Sequence, residues 1–248
     1  MQNIVKLLIL IAFILCCGCN DNQNTENKPE PVIVGLAPEY PPFEFQQHGK
    51  IVGFDVDLLQ AIAKECGMHI QIQDMAFSNL IPALQTGKIS MAISGFSITP
   101  ERQKNIDFST PYYHNSIALL YLKNKQAPHY DFSHKKIGCQ LGSTMEKWAK
   151  KATASFAAVE IVSLDSNPPL IEKLKLKQID YVVIETLQAI EFCKTNPQLS
   201  YQTVGKAQDG YGIALPKNSP LLPKINQALQ ALENNGTLKQ LEDKWLKS

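Results

Sequence analysis

The sequence predicts an α/β protein made of two similar lobes, each an open β-sheet flanked by helices. Short apolar runs alternate with amphipathic helical patterns from residue 32 onward, the rhythm of an open α/β sheet. That alternation restarts after about residue 115, as a second sheet would require. The length of 248 residues accommodates one domain or two.

The elements follow in order. "VIVGLA" (32–37) reads as a short buried strand, and "YPPFEF" (40–45) is barred from a helix interior by its two prolines. "HGK" (48–50) is a turn. In "GFDVDLLQAIAKECG" (53–67), Val56, Leu59, Ile62, Ala63 and Cys66 recur at helical spacing, and Gly67 ends the helix. "HIQIQDM" alternates as a strand does. "SNLIPALQTG" (78–87) is a short helix, with Ser78 expected as its cap and Gly87 at its end. "ISMAIS" is a strand, and "TPERQKNI" opens a helix with Thr99 at the cap and Pro100 in the first turn.

The second round begins with the strand "SIALLYL". Then come "KKIGCQLGSTMEKWAKKA" (strand, glycine turn, helix), "VEIVSL" (strand) and "PPLIEKLKLKQ" (helix). "IDYVVIE" is a buried strand, and "TLQAIEFCKT" is a helix. The chain ends on the strand "YGIALP" and two helical stretches, 220–236 and 237–248.

The N-terminus is expected to be a targeting segment. Residues 7–17 form an apolar run, too short to span a bilayer and right for the core of a secretory signal. Gly18 and Cys19 follow, then a polar stretch read as a flexible tether. A signal core ending in Gly-Cys resembles a bacterial lipoprotein signal, although Cys16 stands where that family usually has Leu. The resemblance implies signal peptide 1–18, lipidation at Cys19 with a tether to residue 30, and membrane attachment through the acyl chains. The other reading is a plain secretory signal cleaved nearby.

Of 24 basic residues, only Lys6 lies in the signal, and the remaining 23 balance 23 acidic ones. A near-neutral surface gives no electrostatic reason for nucleic-acid binding. Three cysteines remain beyond the signal and the lipidation site: Cys66, Cys139 and Cys193. An odd number cannot all pair within one chain. Buried free thiols are the simplest reading, and a Cys139–Cys193 bridge stays open. With no C-x-x-C pair among these three and scattered histidines, no metal site is expected, and no cofactor.

The stretch "AISGFSITPER" (92–102) carries the chemistry. Ser94, Gly95, Ser97 and Thr99 lead to a single Arg102: small hydroxyl residues and a glycine beside one guanidinium. Guanidinium is always charged and offers two parallel N–H donors to a carboxylate. "CQLGSTME" (139–146) is a glycine turn running into a helix, whose first N–H groups point at an anion.

With "YPPFEF", "GKIVGFDVDLLQAIAKE", "LIPALQTGKISMAISGFSITPERQKNIDFSTPYY", "YGIALPKNSPLL" and "NNGTLKQLEDKW", residues 31–248 resemble the periplasmic solute-binding proteins of amino-acid ABC transporters, family 3. The resemblance implies the two-lobed periplasmic-binding-protein type II fold, joined by two crossing segments. Lobe 1 would be 31–114 plus 209–248, and lobe 2 would be 115–208. By resemblance Arg102 pairs with the α-carboxylate of a free amino acid, and the backbone N–H groups of Ser97 and Thr144 add donors from opposite lobes. Glu185, where the family usually has Asp, receives the α-ammonium, with the Gly95 carbonyl and Ser97 hydroxyl as further acceptors. Tyr40 and Phe77 match aromatic positions flanking the ligand side chain, and Gln140 matches arginine-type members. Ala37 stands where many cationic-ligand members have an acid, and Glu39 would project differently. Arginine is the favoured ligand, with glutamine or another polar amino acid next. The implied mechanism is capture by lobe closure in a monomer, without catalysis, and delivery to a permease. Two rivals from other classes share the fold: a cyclohexadienyl dehydratase-like enzyme using Glu185 as its acid, and a sensor-input lipoprotein.

Overall fold

The structure is a computed structural model that describes residues 30–123, 131–206 and 210–247. The signal segment, Cys19 and the tether up to residue 29 lie outside the described residues. Strand β1 (Val32–Leu36) opens the fold, followed by a small antiparallel sheet of β2 (Glu39–Tyr40), β3 (Glu44–Gln47) and β4 (Lys50–Val52). Helix α1 (Phe54–Cys66) and β5 (Ile70–Asp74) come next. After them run α2 (Phe77–Gln85), β6 (Met91–Ala92), the short α3 (Pro100–Gln103) and β7 (Ile106–Phe108).

The second half holds β8 (Ser116–Leu122), β9 (Lys136–Gln140), α4 (Thr144–Thr153), β10 (Glu160–Leu164), α5 (Asn167–Lys175), β11 (Tyr181–Glu185), α6 (Thr186–Thr195) and β12 (Leu199–Lys206). Then β13 (Ala214–Pro216), α7 (Leu222–Asn234) and α8 (Thr237–Trp245) close the chain. Two five-stranded sheets result, ordered β5-β1-β6-β13-β7 and β10-β9-β11-β8-β12. In the first, β5, β1 and β6 are parallel and β13 runs antiparallel to both its neighbours. In the second, β9, β10 and β11 are parallel and β8 is antiparallel to β11 and β12. The chain crosses between sheets twice, from β7 to β8 and from β12 to β13.

Each sheet is packed on both faces. Behind the first sheet, α1 buries Phe54, Leu58, Leu59 and Ile62 completely, against Ile225, Leu229 and Leu232 of α7. On its other side α2 buries Phe77, Leu80 and Leu84 with Ile89 and Phe96. A fully buried Leu or Ile contributes roughly 1.5–3 kcal/mol relative to exposure, so these faces fix the sheet more firmly than helix propensity does. The second sheet is covered by α5 and α6 on one face and α4 on the other. Gly53, at the N-cap of α1, has φ 132°. A Cβ there would sit 2.2 Å from the Phe43 carbonyl oxygen, so only glycine fits.

Some local expectations change. The cap position of α2 is Ala76, not Ser78, and it makes no side-chain cap bond. Ser78 lies inside the first turn, and its hydroxyl donates to Asp165 Oδ1 at 3.4 Å. "ISMAIS" pairs only over Met91–Ala92, because the chain then bends away into the Ser94–Gly95 turn. "YPPFEF" supplies two hairpin arms, and β7 and β12 are strands with no counterpart in the sequence reading. β7 has only three residues and β12 has one fully buried residue in eight, so neither carries a clear apolar pattern. Cys66, Cys139 and Cys193 are all free thiols, so there is no Cys139–Cys193 bridge, and only Cys139 is fully buried.

Candidate functional site

The site forms where parallel strands end. Ala37 follows β1, Phe77 follows β5, Ser94 and Gly95 follow β6, Gln140 ends β9 and Glu185 ends β11. In open α/β sheets the carboxyl ends of the strands are where ligands bind. Here those ends, from both sheets, line a single small cavity together with Tyr40, Glu44, Ser97, Arg102, Ser143 and Thr144. All nine residues singled out from the sequence for ligand contact meet in this one cavity.

Arg102 sits on the one-turn helix α3, whose cap residue Thr99 accepts the Arg102 N–H at 3.2 Å. The residue is 6% exposed, and its guanidinium lies over the rings of Phe77 and Phe96, 5.6 and 5.1 Å from their centroids. One nitrogen donates to the Ser97 carbonyl at 2.8 Å. The other reaches the second lobe and donates to the Gly142 carbonyl at 3.1 Å. Burial pulls its pKa down to about 10, against the opposing pull of Glu185. The group stays charged at neutral pH.

The second lobe presents the N-terminus of α4. Ser143 caps it by accepting the Glu146 N–H at 3.2 Å, and Glu146 reaches back to accept the Gly142 N–H at 2.8 Å. This reciprocal capping leaves Thr144 free to face the cleft. Its hydroxyl meets that of Ser97 across the cleft at 3.2 Å. Gln140 is held by its amide, which donates to the Asp165 carbonyl at 3.1 Å. Glu101 and Lys147 pair between the lobes nearer the surface.

Glu185 is buried at the entry to α6. Burial raises its carboxyl above the ordinary range, while hydrogen bonds from the Tyr40 and Tyr211 hydroxyls and the charge of Arg102 act the other way. The two tyrosine hydroxyls are 3.2 Å apart, and the Asn115 amide donates to Tyr211 at 2.9 Å. Tyr211 lies on the returning crossing segment and bridges to Ser97 and Tyr113.

The sequence reading missed Glu44. It is fully buried and lines the cavity. Ser94 Oγ accepts the Ala37 N–H at 3.1 Å and donates to Glu44 Oε1 at 2.6 Å. Beneath it lies Asp55 of α1, also fully buried, whose Oδ2 accepts the Gly95 N–H at 2.9 Å and the Tyr112 hydroxyl at 3.0 Å. Burial and the neighbouring acid push Glu44 well above the usual carboxylate range, and burial raises Asp55 to about 6. Glu39, by contrast, is exposed. The signal for Glu44 was available in "YPPFEF": an acid between two phenylalanines, on a strand too short for its polarity to be a solvent face.

Two open α/β lobes with two crossings between them, closed on a polar cavity at their strand ends, define a two-lobed ligand-binding protein. The chain belongs to the bacterial extracellular solute-binding proteins, family 3, whose family model matches residues 32–248. It is 34% identical to the arginine-binding extracellular protein ArtP of Bacillus subtilis over 249 residues, covering 96% of each chain. Among solved structures it is similar to an ancestral arginine-binding protein bound to arginine, with TM-score 0.83 and 39% identity over 88% of this chain and 98% of that one. An ancestral arginine-binding protein bound to glutamine matches with TM-score 0.82 and 38% identity over 87% and 97%.

Proposed function

We propose that this chain captures a free basic amino acid, arginine foremost, by closing its two lobes, and hands it to an ABC transporter permease. The observation that carries the reading is the cavity's charge pattern: one permanent cation, Arg102, and two buried carboxyl groups, Glu185 and Glu44, in a single enclosed space. A zwitterion with a cationic side chain matches it group for group. Arg102 takes the α-carboxylate, exchanging a carbonyl partner for an anion. Glu185 takes the α-ammonium. Glu44 supplies the negative charge for a guanidinium that the apolar and aromatic walls at Ala37, Tyr40 and Phe77 can flank. A neutral glutamine side chain would leave Glu44 without a cation.

The relatives named as arginine binders support this ligand, and their being named as binding proteins supports a reading without catalysis. The same names, with the family's extracellular placement, support an exported protein. Among the described residues no helix is long and apolar enough to cross a membrane. Attachment through a lipidated Cys19, action as a monomer, and the lobe limits 31–114 plus 209–248 and 115–208 complete the proposal.

Calorimetry of the purified chain, unfolded and refolded to strip carried-over ligand, tests it against the twenty amino acids and ornithine. Arginine is expected to bind with a dissociation constant of about 1 μM or below, near −8 kcal/mol, ahead of lysine and glutamine. Preference for glutamine overturns the ligand assignment, and silence toward every amino acid overturns the function.

A further inference from the structure

We infer that Glu44 and Asp55 share one proton in the empty protein, carried on Glu44, and that a cationic ligand expels it. The release step rests on the ligand reading above, and the shared proton does not.

The assignment follows from counting hydrogen-bond partners. Glu44 Oε1 is occupied by the Ser94 hydroxyl, and Asp55 Oδ2 by the Gly95 N–H and the Tyr112 hydroxyl. That leaves Glu44 Oε2 and Asp55 Oδ1. Both atoms are buried, and no donor among the described residues reaches either. The two carboxyls are held by consecutive residues, Glu44 by the Ser94 hydroxyl and Asp55 by the Gly95 N–H, and each acts on the other's proton affinity. Two buried carboxylates side by side repel, and one proton between them relieves the repulsion and serves both leftover oxygens. Asp55 already accepts two donors and is the better anion. Glu44 has one donor and faces the negative charge of Asp55 and, from the second lobe, of Glu185. The proton therefore sits on Glu44 Oε2 and points at Asp55 Oδ1. The other titratable groups around the pair are Tyr112 below and Tyr40, Tyr211 and Arg102 around the cavity.

In this arrangement the floor of the cleft carries one negative charge, not two. When a guanidinium or ammonium reaches Glu44, its charge favours the ionised form. The Glu44 O–H bond breaks and the proton leaves to bulk buffer. The resulting carboxylate faces the ligand cation. Asp55 thus acts as a positioning residue: it never touches the ligand, but it sets how readily Glu44 ionises. Binding of a cation becomes proton-linked, with affinity rising by up to tenfold per pH unit while Glu44 is protonated in the free protein. A ligand with a neutral side chain has no such requirement.

The first test is infrared spectroscopy of the free whole chain at pH 7, comparing the wild type with Glu44→Gln. A protonated-carboxyl C=O band that disappears in the variant is expected. No such band would overturn the shared proton. The second test is calorimetry of arginine and glutamine in buffers of different ionisation enthalpy at pH 6–7. Arginine is expected to release up to one proton and glutamine none. Arginine binding without proton release overturns the release step. Binding by neither amino acid would overturn the function and the release step together, while the infrared band still decides the proton. Asp55→Asn keeps an acceptor for Gly95 and Tyr112 and offers Glu44 a permanent N–H donor. It should bind arginine with no proton release, and unchanged release there would also overturn the proposal.

Discussion

The guanidinium of Arg102 donates across the cleft to the carbonyl of Gly142, 3.1 Å away. One side chain therefore belongs both to the cavity wall and to the contact between lobes. Its other bond, to the Ser97 carbonyl, keeps it aimed at the cavity from its own side.

Replacing Arg102 by Ala should lower amino-acid affinity by at least about 30-fold, because losing one partner of a desolvated charge pair costs roughly 2–5 kcal/mol. Arg102→Lys should recover little, since an ammonium cannot make two parallel bonds to a carboxylate. Calorimetry measures the affinity, and circular dichroism checks that the fold persists. Near-native affinity in the Ala variant would remove Arg102 from the site.

Glu44→Gln should separate ligands by charge. A hydrogen bond to a charged group is worth about 1.5–3 kcal/mol, so arginine should weaken by roughly 10- to 150-fold. Glutamine should change by less than about fivefold, since its amide can bond to Gln as well as to a protonated Glu. Equal losses for both would mean that Glu44 supports the cavity without reading the ligand's charge.

Gly95 has φ 53°, and a Cβ there would meet Tyr40 Cε1 at 3.1 Å. Gly95→Ala should cost about 1–2 kcal/mol from the left-handed backbone alone. For a chain of this length that is a melting temperature lower by roughly 2–8 °C. It should also displace the Tyr40 ring and weaken binding. Unchanged thermal melting would show that the turn relaxes freely.

The three buried acids give the ligand-free protein a specific pH profile. Glu44, Asp55 and Glu185 all have folded pKa values above their ordinary ones. The folded chain therefore holds protons that the unfolded chain has released. That stabilisation is fully present below the unfolded values near 4–4.5 and is lost as pH rises through the folded ones. Asp107 and Glu146 act oppositely, since Lys217 and the N–H of Asn218 hold the first down and Lys150 and the N–H of Gly142 hold the second down. Their contribution is lost only in acid. Urea midpoints should fall between pH 5 and pH 8, and Glu44→Gln should flatten the slope. A midpoint that rises over that window would contradict the assignment.

The readability of the chain follows from its chemistry. α1 was plain because Leu59, Ile62 and Ala63 repeat along one face and Gly67 closes it. β11 was plain because both its faces are buried. Arg102 and Thr144 stood in stretches whose chemistry suits an anion, and their roles, with that of Glu185, came through the resemblance to the solute-binding family. β7 was missed because it is only three residues long, and β12 because one residue of its eight is fully buried, so neither shows an apolar run. Glu44 was missed because β3 inverts the expected pattern: Glu44 is fully buried while Phe45 beside it is half-buried. That inversion places a carboxyl in the wall of the cavity between the lobes, where packing rules do not govern residue choice.

The position of β13 constrains the order in which the molecule can assemble. β13 lies between β6 and β7, and β7 pairs with no other strand, so the first sheet lacks an inner member until residues 214–216 arrive. The second sheet draws all five strands from one uninterrupted stretch, 116–206. As the chain is released N-terminus first, the later half can therefore complete its sheet before the earlier half can. Residues 31–108 must wait, with an open strand edge on β6, until the tail threads back to them.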